Sequence, residues 1–148
     1  MQSEVDLEAR KAKPDFDVLR AEILDYHQNM IAAHWKKDVD FLVEDLAEDF
    51  VAVRNGEIEE RTVEDLRLVF EDYLKNTEFR EYRNLCDPLI GFSKDGSLAW
   101  SIVQVKIAGE RTVPDGSTRE LDFTCAWMTL FERRDKKWVR ISEVSTFK

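Results

Sequence analysis

Two cysteines, three prolines and five glycines are all that 148 residues hold of the types that staple, kink or loosen a chain. Cys86 and Cys125 stand in apolar, strand-like runs without C-x-x-C or Cys/His spacing, which argues against a zinc ribbon and reads both as small core residues. No run approaches the roughly 20 apolar residues of a membrane span, and "MQSEVDLEARKAKPDF" has no apolar signal region. G-x-S-x-G, a phosphate-binding glycine loop and H-E-x-x-H are all missing, so covalent, nucleotide and metal chemistry lose weight, and neither a cofactor nor a metal is expected. Positive charge is in deficit as well. The 22 Lys and Arg face 31 Asp and Glu, and a net charge of -9 repels phosphate backbones and anionic headgroups, so neither nucleic acid nor a membrane is an expected partner. The sum reads as a soluble cytoplasmic chain.

What is present is regular. The length suits one domain with one core. Residues 1–14 are polar and read as a flexible N-terminal tail ending at Pro14, and residues 15–148 as a single domain. Asp15 is placed to cap a helix in which Phe16, Leu19, Ile23 and Met30 recur at helical spacing, with Tyr26, His27 and His34 beside that stripe. A second short helix starts at Asp38. "FVAVRNGEIEER" reads as two strands about Asn55-Gly56, and the Thr62 and Asp65 pair has capping-box spacing at the head of a third helix. The rest reads as four strands, near 79–93, 97–108, 118–133 and 138–147, separated by turns. The order ααββαββββ predicts an α+β fold with helices on one face of an antiparallel sheet. "LDFTCAWMTLF" and "LAWSIVQVKI" are apolar on both faces, so the outer face asks for a cover. A homodimer through that face, centred on Val103, Val105, Ala126 and Met128, is the simplest one.

The element order, together with "KDVDFLVEDLAEDFVAVRNGEI", "SKDGSLAWSIVQV" and the ending "FERRDKKWVRISEVSTF", resembles the SnoaL-like proteins of the nuclear transport factor 2-like superfamily over roughly residues 16–147. The resemblance implies a curved antiparallel sheet packed on three helices, with a cone-shaped pocket between them. It does not choose a function, because the superfamily holds isomerases, dehydratases, hydrolases, cyclases and association domains. Laid on ketosteroid isomerase through "DVDFLVEDLAEDF", the chain carries Met30 where the carbonyl-polarising tyrosine falls, Arg54 at the base aspartate and Trp127 near the second acid. That machinery is lost.

The same matching, extended by strand alternation, implies that Trp100, Ile102 and Gln104 face the pocket, with Phe123, Cys125 and Trp127 from the next strand and Val139, Ile141, Glu143 and Ser145 from the last. The candidate catalytic residues are Glu143, a carboxylate in an apolar pocket, and His34, placed at the pocket entrance and titrating near neutral pH. The candidate ligand-binding residues are Arg54, Gln104, Trp100, Trp127, Tyr26 and Met30. Each also has a purely structural reading: Glu143 paired with Arg54, His27 and His34 as satisfied core histidines, the tryptophans as packing. Trp138 reads as structural and outward-facing. Glu44, Asp45, Glu48 and Asp49 read as an acidic helix surface. Three functions follow: a domain binding a small apolar molecule with a carbonyl or carboxylate; a cofactor-free lyase or isomerase moving protons through Glu143 and His34; or a homodimeric association domain without catalysis.

Overall fold

The computed structural model describes residues 13–148. The expected tail, residues 1–14, therefore lies outside the described residues apart from Lys13 and Pro14. The Asp15 carboxylate accepts hydrogen bonds from the amides of Asp17 and Val18 and so opens helix α1, Phe16–Lys36. Leu19, Ile23, Met30 and Ala33 are buried along one side of it, with His27 and His34. Lys37 ends α1 in the left-handed conformation at φ 58°, its amide returning to the last carbonyls. Asp38 caps the short α2, Val39–Val43, and β1, Leu46–Arg54, follows. Asn55 and Gly56 both take positive φ, the geometry of a two-residue hairpin, and lead into β2, Glu57–Glu60. The capping box forms: Thr62 and Asp65 exchange side-chain to backbone hydrogen bonds at the start of α3, Val63–Lys75.

Five strands complete the chain: β3 Thr77–Asn84, β4 Leu89–Phe92, β5 Leu98–Thr112, β6 Thr118–Arg134 and β7 Lys137–Phe147. The single strand expected near 79–93 is thus two. The chain leaves the ladder before Pro88, which cannot donate to it, and β3 and β4 pair in turn with the two halves of β5. Cys86 lies on that break and is exposed rather than in the core, while Cys125 is buried as expected.

The sheet runs β2-β1-β7-β6-β5-β3, with β4 also on β5. Every pair is antiparallel except β1 with β7, so the sheet is mixed. This one ladder departs from an all-antiparallel sheet. Its two strands are joined through all the intervening elements, a crossover long enough for parallel pairing. Register shifts interrupt the β1/β7, β3/β5 and β6/β7 ladders, and such bulges bend and twist a sheet around what it covers. The inner face closes on α1: Ile23 packs with Ile90, Ala99 and Phe131, and Met30 and Ala33 with Leu42 and Leu74.

Two strand faces differ from the alternation expected for them. On β5, Ala99, Ser101, Val103, Val105 and Ile107 are buried, while Trp100, Ile102 and Gln104 are exposed. Val103 and Val105 pair with Trp127 and Cys125 on the inner face, so they cannot centre an outer interface. With apolar residues on both faces, alternation fixes the period of β5 but not its sign, and a slip of one exchanges the faces. The indole of Trp100 lies outside over Gly91, so close that a Cβ at Gly91 would stand 2.2 Å from it. On β7 the pairing jumps from Phe131–Arg140 to Leu130–Ser142, leaving Ile141 as the extra residue. Glu143 and Ser145 face inward as expected. Before the bulge the parity is reversed, so Trp138 and Arg140 face inward and Val139 does not. Trp138 is structural, but on the core side: it packs on Phe131, and its Nε1–H donates to Glu22.

Candidate functional site

Between α1, α3 and the inner sheet face lies a cavity of about 640 Å³. Of the candidate residues, Tyr26, Met30 and His34 line it from α1, Arg54 from β1, Trp127 from β6 and Glu143 from β7. Trp100 and Gln104 do not, since both stand on the outer face of β5. Ser101 and Ile107 take the inward places on that strand. Exposed Leu68 and Val69 of α3 also line the cavity, with Glu59 of β2 and Arg61 just past its end.

The residue that organises the polar end is Arg140, which alternation across the bulge hides. Its Nε and Nη2 donate to both oxygens of Asp45 at 2.8–3.0 Å, Nη2 also donates to the Leu42 carbonyl, and the guanidinium lies 5.5 Å from the Tyr26 ring centre. Asp45 is therefore not part of an acidic helix surface. Its side chain keeps 15% of its area, and it holds Arg140 in place. Burial opposes the charge on Arg140, and Tyr26, Asp45 and Glu143 together outweigh it, so Arg140 stays a cation.

Glu143 accepts from the Thr129 hydroxyl at 3.3 Å and lies 3.9 Å from Nη1 of Arg140. Burial pushes its carboxyl up, opposed by Arg140, Arg54 and the Thr129 bond. Its close ionic partner is thus Arg140 rather than the expected Arg54. Arg54 instead lies 5.9 Å from the Phe147 ring centre, and its buried Nε has no hydrogen-bond partner among the described residues. The Tyr26 hydroxyl is likewise buried without a hydrogen bond within 3.5 Å, although the Asp45 carboxylate is near enough to favour its protonated form, and burial drives its pKa far up, so it remains a neutral donor.

His34 is not at an entrance. It is 7% exposed, enclosed by the rings of Phe70, Phe79 and Tyr82, and its Nδ1 is 2.8 Å from the Met30 carbonyl. A carbonyl only accepts, so Nδ1 carries the proton and Nε2 is left as an acceptor. Burial lowers its pKa to about 4, which makes it neutral, not titrating, near pH 7. His27 is also held below the usual histidine value by burial, its Nε2 bonded to the Asn84 side-chain oxygen at 2.7 Å. Among the described residues no group of three His, Cys, Asp or Glu side chains is arranged to hold a metal, and no helix is long and apolar enough to cross a membrane.

This architecture recurs in solved structures. An NTF2-like protein from Cytophaga hutchinsonii superposes with a TM-score of 0.68 at 22% identity, over 86% of this chain and 96% of that one. The chain has the nuclear transport factor 2-like fold. The CaMKII association domain of C. elegans matches over 88% of this chain and 96% of its own, with a TM-score of 0.61 at 12% identity. A candidate ketosteroid isomerase from Shewanella frigidimarina matches over 82% and 92%, at 16% identity and a TM-score of 0.61. No protein-family model and no curated protein matches the sequence. At such identities the likeness is one of fold, and neighbours named for association and for isomerisation share it. Met30, Arg54 and Trp127, the positions laid on the isomerase machinery, all line the cavity, and none is a tyrosine or an acid.

Proposed function

We propose that this nuclear transport factor 2-like domain binds a small, largely apolar molecule carrying one carbonyl or carboxylate. The observation that carries this reading is a pair of buried donors on the cavity wall that make no hydrogen bond among the described residues, the Tyr26 hydroxyl and Arg54 Nε. Each unmade hydrogen bond costs about 1–3 kcal/mol, and a ligand oxygen would satisfy both kinds of donor. Met30, Trp127 and Phe50 supply apolar wall around them. The test is native mass spectrometry of the purified chain, followed by thermal denaturation with a panel of aryl and alkyl ketones and acids. A retained small molecule, or a ligand that raises Tm for the wild type and much less for Arg54→Leu, supports the reading. A panel without effect on Tm and a bare mass would remove it.

A catalytic version has its own support in Glu143, a carboxyl pushed up by burial and positioned by Thr129. In it Glu143 is the proton-transfer group of a cofactor-free lyase or isomerase. His34 then serves as an acceptor through Nε2, not as an acid. Glu143→Gln should lower turnover of an enolisable or hydratable substrate by about 100-fold or more while affinity for a ketone changes little. An association role rests on the outer face, where Trp100, Ile102, Met128 and Val144 are 36–41% exposed. A second copy of the chain is the occupant we propose, and the neighbour named as an association domain shares this fold.

A further inference from the structure

We propose that Arg54 and Arg140 form a two-guanidinium seat for a carboxylate, and that Glu143 is its built-in occupant, giving way by taking up a proton when an apolar monocarboxylate enters. This rests on the small-molecule reading above and selects the acid over the ketone as ligand class.

The seat follows from the register. In the parallel β1/β7 ladder, Ala52 stands opposite Glu143 and Arg54 opposite Ser145, so Arg54 and Glu143 are diagonal neighbours within reach of long side chains. The bulge at Ile141 brings Arg140 to the same face, so both guanidinium charges act on Glu143, Arg140 from 3.9 Å and Arg54 from beyond ion-pair distance. Their donors are unequally used. Nε and Nη2 of Arg140 are spent on Asp45 and Leu42, whereas Nη1 makes no hydrogen bond among the described residues and has only Glu143 at 3.9 Å. Arg54 Nε is buried with no partner at all among them. Arg140 Nη1 and Arg54 Nε are thus donors that Glu143 as it sits does not satisfy, and an incoming carboxylate could accept from them.

Charge then sets the condition for entry. Two guanidiniums against Asp45 and an ionised Glu143 sum to zero, and Asp45 is fully engaged by Arg140. A further anion would leave a buried net negative charge, which is costly, unless Glu143 becomes neutral. The other titratable groups on this cavity are Tyr26, His27 and His34 from α1, Asp72 and Tyr73 from α3, Tyr82 from β3 and Cys125 from β6, with Glu59, Arg61 and Arg111. The tyrosines and Cys125 are raised by burial, both histidines are lowered by it, Asp72 is bonded to Arg111, and the His27 ring to Asn84. Glu143 is the carboxyl that stands beside Arg140 Nη1 without a hydrogen bond to it, and so the group an incoming carboxylate meets first.

The experiment is calorimetric titration with phenylbutyrate and with the methyl ketone of matching length, between about pH 5.5 and 8, in buffers of different ionisation enthalpy, on wild type and Glu143→Gln. The wild type should bind phenylbutyrate with uptake of about one proton, its affinity falling by up to about tenfold per pH unit above the Glu143 pKa. Glu143→Gln should bind it without proton uptake, at an affinity independent of pH, and more tightly than wild type at pH 8. Ketone binding should take up no proton. Phenylbutyrate binding without proton uptake by the wild type, or an unchanged pH slope in Glu143→Gln, overturns the seat. So does binding of the ketone alone, which leaves the small-molecule reading standing. Binding of neither probe at millimolar concentration overturns both. The wild-type proton count stands even if the variant folds poorly.

Discussion

Removing Arg140 would leave the Asp45 carboxylate and the Leu42 carbonyl without their donor in a largely buried place. Breaking such a pair from one side costs more than the pair contributes. Arg140→Met should therefore lose about 3–5 kcal/mol in urea unfolding, and Arg140→Met with Asp45→Leu should recover most of it. Recovery would be absent if Arg140 acted only by filling space. His34 makes a second prediction, through pH. Its folded pKa is lowered to about 4 from 6.5, so its contribution is fully present above pH 6.5 and is lost as pH falls toward 4. The full loss is about 3 kcal/mol, and His34→Phe, which suits the ring cluster, should flatten the stability curve over that window. Glu143 has the opposite sign: its folded pKa is raised, so it favours the folded state at low pH and that contribution disappears as pH climbs through the raised value. At this scale Tyr26, Met30 and His34 were legible from helix spacing, and Arg54, Trp127 and Glu143 from the family resemblance extended by strand parity. Arg140 was not, because one inserted residue at Ile141 reverses parity.

Elements with local signals came out where those signals stand. Asp15, the Asn55-Gly56 turn and the Thr62 capping box each act within four residues of their own position. Thr62→Ala should cost about 1 kcal/mol in urea unfolding, with no effect on ligand affinity. The break between β3 and β4 also has a local signal, Asp87-Pro88, which the apolar Leu85, Cys86, Leu89 and Ile90 around it disguise. Gly109 tests how tightly β5 and β3 approach at their bulge. A Cβ there would meet the Glu78 carbonyl at 2.3 Å, so Gly109→Ala must push β3 aside. The expected loss is about 1–3 kcal/mol in urea unfolding. An unchanged unfolding midpoint would show that β3 yields freely.

For the whole molecule, the outer sheet face carries the remaining expectation. Trp100, Ile102 and Met128 lie there together, with Ile102 directly opposite Met128 in the ladder. We propose the two-fold dimer through these residues rather than through Val103 and Val105, which are 2% and 0% exposed inside the core. Sedimentation at micromolar concentration should give twice the 17.4 kDa chain mass, and Ile102→Glu with Met128→Glu should return single chains that remain folded. A wild type that sediments as one chain would remove the interface.

The amino-acid sequence alone determined the α+β class, the order of elements apart from the division of β3 from β4, the caps and turns, and the inward stripe of α1. These are written in spacings of two to four residues, and local backbone preference reads them directly. Only the tertiary structure decided which face of β5 is inside, that β1 joins β7 in parallel, and that Asp45 and Arg140, 95 positions apart, hold each other beside Glu143. Those outcomes depend on packing and charge neutralisation between distant segments. A strand apolar on both faces can satisfy its own alternation either way up, so only its neighbours in the folded sheet break the tie.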